Sequence, residues 1–151
     1  MCCEPVTLER MAFQPSDRAT TRHLDLDPVP GSVSLARSFV RSCVTDLDDD
    51  SRDVALLLTS ELVTNAILHA RTPVHLGVVV DDDRACVCVG DRAQRTPELV
   101  PLSRSVDRPG GRGLALVAAL AESWGAATYA GGKTVWFVLT STSTARPLSV
   151  G

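Results

Sequence analysis

Aromatic residues are scarce in this chain of 151 residues. Three Phe, two Trp and one Tyr make up 4%, against 44% hydrophobic residues in all. Any core must therefore be built mainly from aliphatic side chains. Lysine is nearly absent: among 15 basic residues, Lys133 is the one lysine. With 18 acidic residues the net charge is −3 and the pI about 5.5, which excludes the basic footprint of a general nucleic-acid binder. No Cys-x-x-Cys pair occurs among the five cysteines. Cys86 and Cys88 alternate, so both fall on one face of a strand. They read as small buried hydrophobes in preference to a metal site with His23, His69 or His75. No long apolar run exists either. The longest, residues 114–121, is too short to span a bilayer, and residues 1–20 lack the apolar stretch of a signal peptide. The expectation is a cytoplasmic protein with neither membrane nor direct nucleic-acid partners.

What is present fits one folded domain. Mean hydropathy is +0.10, too apolar for a disordered chain. A chain of this length buries roughly 68% of its unfolded surface, enough for a core without disulfides. Residues 1–20 read as a loosely attached arm, 21–140 as the domain and 141–151 as a frayed tail rich in Ser, Thr and Pro. Alternation over 22–27 suggests an edge strand. From Ser32 the apolar residues Ala36, Phe39, Val40, Cys43, Val44 and Leu47 recur at three- and four-residue steps, an amphipathic helix. The acidic run Asp46, Asp48, Asp49 and Asp50 reads as a solvated turn, with Asp50 or Ser51 capping a second helix over about 52–70. Valine-rich strands at 74–80 and 85–90 flank a turn at Asp81-Asp82-Asp83-Arg84. After an aperiodic segment, 92–113, come a third helix over about 114–123 and a hairpin across Gly131-Gly132. The order implies an α+β two-layer sandwich: a mixed, largely antiparallel sheet with about three helices on one face.

Chemistry concentrates in three places. Glu61, Asn65 and His69 recur every four residues on an otherwise apolar helix, forming one polar stripe. Burying such groups unpaired costs several kcal/mol, so the stripe faces a cavity, a ligand or a metal, or else plain solvent. The segment 92–113 holds five arginines against two acids, a local charge of +3, which leaves −6 for the rest of the chain. A basic aperiodic segment of that length in a compact domain is commonly a functional lid. It ends Gly110-Gly111-Arg112-Gly113 before the third helix, where free N–H groups and the helix dipole suit a phosphate, although a glycine hinge gives the same pattern. Neither a Rossmann fingerprint nor a P-loop is matched. Asp91, just past a strand end, has the position to accept from a base's exocyclic amine or to cap the following loop.

Together these motifs resemble the nucleotide-binding domain of the Bergerat-fold ATPases, the gyrase, heat-shock chaperone and histidine-kinase superfamily. Within it, the small single-domain anti-sigma-factor serine/threonine kinases of actinobacteria are most similar. Glu61-Leu62-Val63-Thr64-Asn65-Ala66 with His69-Ala70 resembles the N-box. Asp91 stands where the adenine-reading aspartate belongs. Gly111-Arg112-Gly113-Leu114 resembles the second glycine box, and Gly132-Lys133-Thr134-Val135-Trp136 the closing strand. The likeness spans residues 22–139.

The resemblance implies ATP and Mg²⁺ as cofactors. Glu61 would be the general base, Asn65 the Mg²⁺ ligand, Asp91 the reader of the adenine amino group and Thr134 a wall of the base pocket. His69 and Ala70 would complete the N-box side of the ATP site. Arg108, Gly111, Arg112, Gly113 and Leu114 would hold the phosphates. Two departures stand out: Arg92-Ala93-Gln94 replaces a glycine-containing turn, and Pro109 occupies the position of a γ-phosphate arginine. The implied function is an anti-sigma factor that phosphorylates a STAS-type anti-anti-sigma partner and binds a sigma factor, with a homodimer as the family habit. The alternative is a non-catalytic ATP-binding module that sequesters a partner.

Overall fold

A computed structural model describes residues 13–93 and 113–141. Arg108, Gly111 and Arg112, the acids and arginines between 94 and 112, Cys2, Cys3 and the tail from 142 lie outside the described residues. The chain runs β1 (Thr20–Leu26), α1 (Ser32–Cys43), α2 (Asp49–Asn65), a π-helical turn (Ala66–Ala70), β2 (Val74–Asp81), β3 (Arg84–Asp91), α3 (Gly113–Leu120), β4 (Ser123–Tyr129) and β5 (Gly132–Thr140). The strands form one sheet in the order β1-β2-β3-β5-β4. Every described pairing is antiparallel, so the α+β expectation holds and the sheet sits at its antiparallel limit.

The valine-rich alternation explains the layering. Residues of one parity, Leu76, Val78, Val87, Val89, Val135 and Phe137, face the helices and join Ala36, Val40, Leu58, Leu62 and Val63 in the main core. Strand side chains alternate with a period of two, so the other parity points away from the helices. There Val79, Cys86, Cys88, Trp136 and Val138 form a second, smaller cluster with Phe13. Both cysteines thus lie buried on one face, as their spacing requires. Glycine at 125 is needed on this face, because a Cβ there would strike the Trp136 ring across the β4–β5 pairing.

Three local outcomes differ from the periodicity reading. Asp48 caps α2, its carboxylate accepting from the Ser51 N–H at 2.9 Å, and Asp49 and Asp50 occupy the first turn. An acid there is favoured by the helix dipole, which patterning of apolar residues does not register. Asp46 lies in the exposed turn before the helix, whereas Asp48, Asp49 and Asp50 cap and begin it. Residues 13–19 are docked onto the sheet: Ser16 donates through its N–H and its hydroxyl to the two oxygens of Asp81, at 2.6 and 2.7 Å. Those two bonds hold the Asp81 carboxyl below the usual carboxylate range. Phe13 is buried, with the Arg84 guanidinium 4.9 Å above its ring. Finally, the β4–β5 turn lies at Ala130-Gly131, since Tyr129 pairs with Gly132, already in the strand.

Among the described residues no helix is long and apolar enough to cross a membrane. The helix–sheet seam gives a direct test of the packing. Leu58 is 0% exposed and its neighbour Leu57 42%. Leu58→Ala is expected to cost about 2–5 kcal/mol in urea unfolding and Leu57→Ala under about 1 kcal/mol. Equal costs would contradict the orientation of α2.

Candidate functional site

The second half of α2 supplies the polar part of the site. Glu61 and Asn65 are one turn apart and half-buried, on a helix whose Leu58, Leu62 and Val63 are committed to the core. The Oδ1 oxygen of Asn65 is buried and has no hydrogen-bond partner among the described residues. A buried carbonyl oxygen without a donor is costly unless something else occupies it, about 1–3 kcal/mol. Beyond Asn65 the helix widens into the π turn, closed by Arg71 in the left-handed region (φ 56°), whose N–H donates to Ala66 O at 3.3 Å. His69 lies within this turn. Its side chain is exposed, while Ala70 is half-buried.

α3 begins against this turn. A Cβ on Gly113 would stand 2.5 Å from Asn65 Nδ2 and 3.4 Å from the Glu61 carbonyl oxygen. A side chain at 113 would have to push the Asn65 carboxamide aside. Gly113 and Leu114 are both buried at that start. The structure therefore brings the described end of the glycine segment onto the Glu61–Asn65 turn.

The sheet contributes the end of β3. Asp91 is buried, with side-chain exposure of 3%, and both of its oxygens are engaged. Oδ1 accepts from the Ala93 N–H at 2.8 Å, and Oδ2 faces Lys133 Nζ at 3.1 Å. The Ala93 bond is the loop cap that position alone favoured. Next door, the Arg92 N–H donates to Thr72 Oγ1 at 3.0 Å, tying the end of β3 to the segment that leaves the π turn. Gly132 makes the last close approach. Its φ is +150°, and a Cβ there would fall on the Asp91 carbonyl oxygen.

Thr134 is not brought to Asp91. It pairs with Gly90 and Ala127, residues of the outward parity, whereas Asp91 pairs with Lys133 on the helix side. The side chain from this segment that reaches Asp91 is therefore Lys133, at 3.1 Å. The motifs assign Lys133 no role of its own within the closing strand. Its signal was available: Lys133 shares parity with Val135 and Phe137, the core-facing residues of the same strand.

The family model for the histidine kinase-like ATPase domain matches residues 26–139. The chain belongs to that family. The match covers α2, the end of β3, α3 and the start of β5, so every described part of the site falls within the ATPase domain. A solved chain, the RsbU and RsbW domains of Rv1364c from Mycobacterium tuberculosis, matches with a TM-score of 0.61 at 20% sequence identity. That match covers 85% of this chain and 33% of the mycobacterial one, so this chain spans about a third of its length. The likeness shows the fold. No curated protein sequence matches the chain.

In this ATPase domain Gly113→Ala is expected to displace the Asn65 carboxamide. The side-chain NH₂ signals of Asn65 should shift in NMR spectra, with a stability loss of about 1–3 kcal/mol. Unchanged Asn65 signals would rule out the close approach.

Proposed function

We propose that this histidine kinase-like ATPase domain binds Mg-ATP and transfers the γ-phosphoryl group to a serine or threonine hydroxyl of a STAS-type anti-anti-sigma protein. The observation that carries the reading is the pairing of a bare, buried Asn65 Oδ1 with Glu61 one turn away, against the start of α3. Magnesium takes oxygen ligands and needs only one or two from protein, so an amide oxygen with no competing donor fits it. The ion, when bound, neutralises charge on the phosphate oxygens. Phosphoryl transfer otherwise demands placement and electrostatics more than covalent chemistry.

The chain's own groups divide the work. Asp91 accepts from the adenine amino group and so anchors the base. Asn65 Oδ1 holds the metal side of the phosphates. Backbone N–H groups at the start of α3, Gly113 and Leu114, meet phosphate oxygens where the helix dipole favours negative charge. Gly111, Arg108 and Arg112, outside the described residues, complete that cradle, with His69 and Ala70 on the N-box side. The Glu61 carboxylate takes the proton of the attacking hydroxyl as the oxygen–phosphorus bond forms and ADP departs.

The likeness to a chain with an RsbW domain and the motif resemblance to anti-sigma kinases support the regulatory setting. In that setting the protein is a cytoplasmic anti-sigma factor, a homodimer that binds its sigma factor and is released by the anti-anti-sigma partner. A second reading, an ATP-binding switch without transfer, is favoured by Pro109, which stands where the resemblance expects an arginine for the γ-phosphate.

Incubation with labelled ATP, Mg²⁺ and a STAS-type partner separates the two. Label on the partner supports the kinase; ATP binding without label supports the switch. For the kinase, Glu61→Gln is expected to keep ATP binding and lower transfer about 10²–10⁴-fold. Transfer at the wild-type rate would remove Glu61 as the base. No thermal shift of the wild-type chain with millimolar Mg-ATP would overturn the nucleotide reading as a whole.

A further inference from the structure

The Asp91–Lys133 pair carries more than the anchoring role of Asp91. Lys133 is 12% exposed at its side chain and lies directly across the β3–β5 ladder from Asp91. A buried ion pair is weak ground for stability, because desolvation offsets most of the attraction. Its composition, however, is well suited to recognition. The carboxylate has about four acceptor sites and the ammonium three donors. One acceptor of Oδ1 is used by the Ala93 N–H, and one of Oδ2 by Lys133. The pair therefore offers an acceptor at Oδ2 beside further N–H donors on Nζ, 3.1 Å apart. Two glycine-dependent features fix that arrangement. Gly132 lets β5 approach the Asp91 backbone, and its φ of +150° sets where the strand and Lys133 begin.

We propose that Lys133 is a second base-reading residue, which donates a hydrogen bond to N1 of adenine while Asp91 accepts from the exocyclic amine. The adenine edge presents that donor and that acceptor on neighbouring atoms, in the order opposite to the protein pair. Asp91 alone recognises an amine. Asp91 with Lys133 recognises an amine adjacent to an unprotonated ring nitrogen. Low exposure strengthens both bonds, since water competes poorly there. The inference rests on the nucleotide-binding reading above and adds to it the group that selects the base.

Titration calorimetry of the full chain with Mg²⁺ and three nucleotides tests it. These are ATP, 1-deaza-ATP, which lacks the N1 acceptor, and 7-deaza-ATP, which keeps it. The wild-type chain is expected to bind 1-deaza-ATP at least about tenfold more weakly than ATP, as loss of a charge-assisted hydrogen bond requires, and 7-deaza-ATP as it binds ATP. Lys133→Met is expected to bind ATP and 1-deaza-ATP alike, at the weaker level. Equal wild-type affinity for ATP and 1-deaza-ATP overturns this inference and leaves ATP binding standing; that arm does not depend on the variant folding. Tighter ATP binding by Lys133→Met also overturns it, since the lysine would then be blocking the base. Failure of the wild-type chain to bind ATP at all overturns the nucleotide reading, and this inference with it.

Discussion

A carboxylate buried at the end of a strand must be given partners, and much of the site end of this fold answers that demand. Asp91 lies at the end of β3 with almost no exposure. Left alone, a buried carboxylate would cost several kcal/mol. Three features supply its surroundings: the Ala93 N–H on one oxygen, Lys133 on the other, and a glycine at 132 that lets β5 press against the Asp91 backbone. That contact lies on the β3–β5 ladder, where Asp91 pairs with Lys133. Core pairs such as Val87 with Phe137 and Val89 with Val135 sit on the same ladder.

The helix side is organised by a second close approach. Gly113 brings the start of α3 to Asn65 and to the Glu61 carbonyl, so that a helix N-terminus and a polar turn share one place. The two approaches are linked through Thr72, which accepts from Arg92 and follows the π turn. Helix and sheet thus meet through short contacts at glycine and hydroxyl positions, while the broad aliphatic core holds the layers together. Scarcity of aromatic residues is consistent with this division. The main core is Val, Leu and Ala around the one buried aromatic Phe137, and Trp136 and Phe13 sit on the outer face.

Much of this was readable in the chain. The alternation in 74–80 and 85–90 and the three-four spacing after Ser32 identify the layers, because burial on one face imposes those periods. The Glu61–Asn65 spacing and the glycine at 113 mark residues that the fold brings together. Less legible were the elements whose reason is not periodic. Asp48 caps α2 through one local hydrogen bond. Residues 13–19 are held by a bond pair from Ser16 to Asp81, far apart in the chain. The π turn over Ala66–Ala70 leaves no mark in apolar spacing.

The amino-acid sequence by itself determined the elements, their order, the antiparallel character of the sheet and membership of the candidate polar turn. Those depend on short-range spacing and on which residues can be buried. Only the tertiary structure decided that Lys133, and not Thr134, meets Asp91. That choice depends on which parity of β5 faces the helices in its register against β3. A one-residue difference along a strand reverses the face a side chain occupies, and the pairing of two distant strands settles it.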